Sequence, residues 1–208
     1  MFKFEFGYER KGLRLMCLGA HSEDLEIGCV APCWSGSPHT RRSKSPGSYS
    51  VLRDSANELL SNSKRTDLVQ RNFRDGYFLV QFDKAKSLFE EFKASENPNV
   101  ILTHRLEDRH HDHRLVAELT WQTFLDHLIL EYEIPKYESD LGQSNFCVAL
   151  SNSPGERKVK HLLRHFGSHR AKNWFRSETF LSLMQVRGIE CRAPSGISEG
   201  SHVRKATI

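Results

Sequence analysis

Short apolar runs alternate along the chain with stretches whose apolar residues recur every three or four positions, the pattern of strands alternating with amphipathic helices. Leu13-Arg14-Leu15-Met16-Cys17-Leu18 is one such run and ends in Gly19-Ala20, as a buried parallel strand does. Tyr77-Phe78-Leu79-Val80, Asn99-Val100-Ile101-Leu102-Thr103 and Phe146-Cys147-Val148-Ala149-Leu150 read as further strands, and Met1-Phe2-Lys3-Phe4-Glu5-Phe6 alternates like one. Asp83 is placed to cap a helix whose apolar face is Ala85, Leu88, Phe89 and Phe92. From Asp112 a long helix is predicted, with Ala117, Trp121, Phe124 and Leu128 on one face. Ser153-Pro154-Gly155-Glu156 reads as a capping box with a proline at the first helical position. Val159, Leu162, Leu163 and Phe166 form the buried stripe of that helix. A last helix around Glu178–Arg187 is predicted to end before Gly188, a natural C-cap. This order predicts an α/β fold, a Rossmann-like open and mostly parallel sheet with helices on both faces. A chain of 208 residues suits one such domain over its whole length, 1–208.

One stretch breaks the pattern. Residues 31–50 are rich in Ser, Pro, Gly and Arg and show no period, so 30–50 is predicted to be a surface loop. The five cysteines are scattered and never form a CxxC pair, which excludes a disulfide framework and a four-cysteine zinc site; Cys17 reads as a small core residue. No apolar run approaches the length of a membrane span, and the N-terminus lacks the features of a signal peptide, so a cytoplasmic protein is expected. The net charge of +4 is modest and spread out, so nucleic acid is not an expected partner. Association of identical chains is compatible with the sequence. No GxGxxG or P-loop follows a strand, which argues against a nucleotide-binding protein.

Sites in open α/β sheets lie beyond the carboxyl ends of the strands. Gly19-Ala20-His21-Ser22-Glu23-Asp24-Leu25-Glu26 follows the first strand. His104-Arg105-Leu106-Glu107-Asp108-Arg109-His110-His111-Asp112-His113 follows a later one. Zinc is well served by two imidazoles and a carboxylate, with a fourth position left for water. His21 and Asp24 are close enough in a tight turn to share one ion, and His113 at the start of the long helix closes the set. Glu23, between two ligands, is placed to take a proton from water acidified by the metal. His110 lies about one turn before His113 and is free to act as an acid or to steady a developing oxyanion. Asp112 is placed to orient an imidazole. The same ligand set can also hold iron.

These clusters resemble those of the PIG-L/LmbE-type zinc deacetylases. Ala20-His21-Ser22-Glu23-Asp24 matches that family's AHPDD after the first strand, and His110-His111-Asp112-His113 its HPDH at the start of a later helix. The resemblance extends over most of residues 11–197, through LGAHSEDLEIGC, FRDGYF, NVILTHRLEDRHHDHRLVAELTW, LILEYEIPKY and RGIECRAPSG. It implies zinc on His21, Asp24 and His113, a general base at Glu23, and an assisting His110 supported by Asp112. It implies removal of an N-acetyl group from an N-acetylglucosamine-type sugar, glycoside or glycolipid precursor. Arg74 and Asp75 would help to hold that small-molecule substrate, with Trp174 and Tyr137 available to stack on a sugar ring. The chain departs from the pattern at Ser22 (proline in the family) and at Glu23 (aspartate). It departs again at residues 30–50, where the family has a Gly-Gly-Thr helix and a second strand. Those departures keep open an alternative, a non-catalytic relative that binds metal or sugar.

Overall fold

The computed structural model describes residues 14–29, 48–55 and 67–206, with the backbone alone at 48–55 and 67–70. The alternation expected at Met1–Phe6 and the loop expected over 30–47 lie outside the described residues.

Among the described residues, seven strands form one sheet: β1 (Arg14–Gly19), β2 (Ser48–Ser55), β3 (Asp67–Asn72), β4 (Val100–Thr103), β5 (Leu128–Tyr132), β6 (Phe146–Ala149) and β7 (Ser198–Val203). Their order across the sheet is β3-β2-β1-β4-β5-β7-β6. The middle is the expected parallel core, with Leu15 opposite Val100 and Val100 opposite Leu128. Both flanks are antiparallel, β2 and β3 on one side and β7 and β6 on the other. The sheet is therefore mixed.

Successive residues of a strand point to opposite faces, and the three central strands bury both. Leu15, Cys17, Val100, Leu102, Leu130 and Tyr132 belong to one core. That core is covered by α1 (Asp24–Gly28), α4 (Asn152–His165) and α5 (Ser177–Cys191). Met16, Leu18, Ile101 and Ile129 belong to a second core, under α2 (Phe82–Ser95) and α3 (His111–Thr123). Cys17 is indeed a core residue, 1% exposed. Among the described residues, no helix is long and apolar enough to cross a membrane.

The structure corrects several local expectations. Tyr77–Val80 is not a strand; a single 3-10 turn spans Phe78–Gln81, with Phe78 buried and Leu79 and Val80 exposed. The N–H groups of Gly76 and Phe78 donate to the Asp112 carboxylate instead of to a ladder. The helix after it is capped at Gln81, and Asp83 lies in the first turn, where its charge favours the helix dipole. α3 stops at Thr123, and Leu128 opens β5 instead of extending the helical stripe. Ser151, not Ser153, is the N-cap of α4, so Pro154 is its third residue, still where no intrahelical donor is required. α5 runs through Gly188 to Cys191 and is capped by Arg192 in the left-handed region. A Cβ on Gly188 would lie 2.1 Å from the Gly196 carbonyl oxygen, so the glycine is there for a close crossing of chains, not as a cap. Residues 48–50 belong to β2, which lies antiparallel beside β1.

Candidate active site

The carboxyl end of β1 turns sharply. The His21 N–H donates to Asp24 Oδ2 (2.6 Å), and the Asp24 N–H returns to the His21 carbonyl (3.4 Å). Gly19 allows this, because a Cβ there would already touch Asp24 and Leu25 at 3.2 Å. The turn places Asp24 at the start of α1, fully buried, with its carboxylate against three imidazoles. His104 Nε2 is 3.1 Å away, His21 Nδ1 3.5 Å and His113 Nε2 3.5 Å. Burial works against its charge, but His113, His104 and His21 hold its carboxyl far below the usual range.

His21 Nδ1 and His113 Nε2 face each other at 3.0 Å. The nitrogen on the far side of each ring has a carboxylate partner. His21 Nε2 meets Asp75 Oδ1 at 3.0 Å and Asp112 Oδ2 at 3.5 Å, and His113 Nδ1 meets Asp108 Oδ2 at 3.0 Å. Those partners hold the ring protons on the outer nitrogens, which aims both inner lone pairs at one point beside Asp24. Two lone pairs at that distance repel unless a proton or a metal ion lies between them. Tetrahedral zinc with bonds of about 2.0–2.1 Å requires ligand atoms roughly 3.3 Å apart; the two nitrogens are 3.0 Å apart, and each lies 3.5 Å from a different Asp24 oxygen, His21 Nδ1 from Oδ2 and His113 Nε2 from Oδ1. Two overlapping groups here could hold a metal ion, His21 with His110 and His113, and Asp24 with His104 and His113. A proton competes for that position: burial opposes a charge on His21, yet Asp24, Asp112 and Asp75 push its imidazole up to about 12, so a metal ion held there displaces a proton. Burial and the neighbouring His104 lower His113 to about 4.

The remaining predicted residues surround this point. Glu23 is the N-cap of α1, and burial together with the Asp24 charge pushes its carboxyl up. Its Oε1 lies 3.2 Å from His169 Nε2, and its Oε2 accepts from the Ser22 hydroxyl at 3.2 Å. His110, the N-cap of α3, has its ring 4.9 Å from that of His21 and 4.5 Å from that of His113. Burial and the His21 charge lower it. Asp112 is wholly buried and accepts from the N–H groups of Gly76 (2.7 Å) and Phe78 (3.1 Å); the imidazole it approaches is that of His21. By holding that loop it brings Asp75 to the site. The turn itself requires Gly76, whose φ is +75°. The Arg74 guanidinium lies 3.6 Å over the Tyr77 ring. Tyr137 is exposed and accepts from the Asn173 N–H. Trp174 is half-buried and packs against Phe175 and Phe180 beside the core.

Sequence reasoning missed three residues here. His104, wholly buried, stacks its ring on His113 at 3.9 Å and accepts from the Ala20 N–H at 3.0 Å. Its position directly after β4 was the available signal. Asp108, itself held by Lys136 at 3.0 Å, supports His113 and accepts from the His110 N–H at 2.8 Å. Five residues of sequence separate it from its imidazole, and a turn closes the gap. His169 comes from a distant loop, and nothing in its local pattern marks it.

No protein-family profile and no curated protein matches this chain. Among solved structures, the chain is similar to the A40926 pseudoaglycone deacetylase Dbv21, with 13% identity and a TM-score of 0.54 over 95% of this chain and 100% of that one. It also matches GalB, the 4-carboxy-2-hydroxymuconate hydratase from Pseudomonas putida KT2440, with 14% identity and a TM-score of 0.46. That second match spans 61% of this chain and 60% of the hydratase. The likeness to the deacetylase over nearly the whole chain shows a deacetylase-type fold.

Proposed function

We propose that this chain is a zinc-dependent hydrolase that removes the N-acetyl group of an N-acetylglucosamine-type sugar, glycoside or glycolipid precursor. The observation that carries the reading is the convergence of His21 Nδ1, Asp24 and His113 Nε2, each within 3.5 Å of the other two, at the carboxyl end of the central strands. The fold shared with a pseudoaglycone deacetylase supports it. Zinc held by those three residues would supply Lewis-acid polarisation of the amide carbonyl and acidify water at the site.

The chain's own groups do the rest. Glu23, with its carboxyl pushed up, takes the proton from the attacking water. His110, at the mouth of the same cluster, delivers a proton to the departing nitrogen, so that acetate and a free amine leave. Asp108 fixes the tautomer of His113, and Asp112 and Asp75 fix that of His21. Arg74 and Asp75, on the exposed turn at the rim, are assigned to the sugar.

The test is the metal content of the purified protein beside a His113→Ala control, followed by acetate release from N-acetylglucosamine derivatives. About one zinc per chain, lost in the control, with acetate released by the wild type, is the expected result. Zinc without acetate from any N-acetylated sugar would favour the binding-only reading, and no metal in either protein would remove the site.

A further inference from the structure

We propose that Ser22, Glu23 and His169 act as one unit, in which the Ser22 hydroxyl and the His169 imidazole each hold one oxygen of the Glu23 carboxylate. Ser22 and His169 are thereby positioning residues for the base. The proposal rests on the reading of Glu23 as the proton acceptor.

Glutamate carries one more rotatable bond than aspartate, so its carboxylate sweeps a larger volume unless something fixes it. A shift of about 1 Å in a catalytic group can cost on the order of 100-fold in rate. Both donors that would fix it are present. Ser22 Oγ donates to Glu23 Oε2 at 3.2 Å, and His169 Nε2 lies 3.2 Å from Glu23 Oε1. The two side chains of the His169 contact are 16% and 14% exposed, so solvent competes little.

The direction of the His169 bond follows from its other neighbour. Lys172 Nζ lies 3.5 Å from His169 Nδ1, and an ammonium has only donors. Nδ1 therefore accepts, the ring proton sits on Nε2, and that N–H points at Glu23. The ring is held edge-on to Phe175 at 5.4 Å and to Trp174 at 6.4 Å. The 3-10 turn Gly167–His169 fixes the backbone beneath it. A carboxylate offers about four lone pairs, so the clamp takes two and leaves others for the proton. The two residues at which the sequence departs from AHPDD, Ser22 and Glu23, thus belong to a single device, closed by a histidine some 150 residues away in sequence.

The experiment is a double-mutant cycle on acetate release from an N-acetylglucosamine glycoside, in the zinc-loaded protein. His169→Ala and Ser22→Ala are each expected to lower kcat on the order of 10-fold, with KM and zinc content unchanged. His169→Gln, which keeps an N–H donor at similar reach, is expected to recover most of the loss. In a Glu23→Asp background the shorter carboxylate leaves both donors, so the same alanine substitutions should cost little further. Equal losses in both backgrounds, or no loss in either, would overturn the clamp.

A second readout does not depend on turnover. Nitrogen-15 NMR of the histidine rings at fixed pH is expected to show His169 with its proton on Nε2, and the resonance should shift in Glu23→Ala. An unchanged His169 signal overturns the proposal. A shifted signal in a wild-type protein that releases no acetate would uphold the pairing while sinking the deacetylase reading.

Discussion

Asp108→Asn isolates the step by which the chain prepares His113. The carboxylate now serves three donors: His113 Nδ1–H at 3.0 Å, the Lys136 ammonium at 3.0 Å and the His110 N–H at 2.8 Å. His113 and Lys136 meet Oδ2, and His110 meets Oδ1. An asparagine amide has one oxygen and one NH2 group. If the oxygen faces His113, the NH2 faces the His110 N–H; if it faces His110, the NH2 confronts His113 Nδ1 and Lys136. The first orientation opposes one donor, whereas the second opposes two and favours the tautomer of His113 that carries its proton on Nε2. Loss of a carboxylate partner behind a metal-bound histidine typically costs about 10–100-fold in affinity, or roughly 1.4–2.8 kcal/mol. The dissociation constant for zinc is therefore expected to rise by that factor, read by competition against a colorimetric chelator, with melting curves to verify the fold. An unchanged affinity in a folded protein would refute the argument that Asp108 sets the tautomer of His113.

Glu23→Ala is expected to abolish acetate release while zinc stays bound, checked by metal analysis beside the activity assay; full activity would refute its role. Gly28→Ala places a Cβ 2.1 Å from Cδ2 of the wholly buried Tyr132. It should destabilise the fold by about 1–3 kcal/mol, lowering Tm by roughly 2–4 °C per kcal/mol in calorimetry. Arg187→Met strands the buried carboxylate of Glu133, which now takes two guanidinium bonds at 2.6 and 2.8 Å. A loss of about 3–5 kcal/mol is expected in urea titration, and adding Glu133→Leu should restore much of it.

The central strands were legible because a strand buried on both faces reads as a continuous apolar run, as β1 and β4 do. The same rule hid β7. Ser198-Glu199-Gly200-Ser201-His202-Val203 is polar, yet it lies between β5 and β6, with the Glu199 carboxylate held by the buried Lys158 ammonium at 2.7 Å. Polar side chains satisfied across the fold leave no period in the sequence. β5 was masked differently: Leu128 sat in step with the helical spacing of α3, and nothing local marks the break at Phe124. The two chemical clusters were legible because each falls within ten residues and follows a strand. Their supports were not, since His169 reaches Glu23 only through tertiary structure, and Asp75 reaches His21 because Asp112 holds its loop.

The two cores on opposite faces of the sheet carry a kinetic implication. His21 and Asp24 are delivered by the layer of α1, and His113 by the layer of α3, with His21 and His113 92 positions apart in sequence. Closing so long a loop is entropically expensive and depends on contacts remote in sequence. Neither layer alone presents more than part of the proposed ligand set. Zinc added during refolding is therefore expected to leave the folding rate unchanged and to slow unfolding, acting as a late rivet across a sheet already assembled.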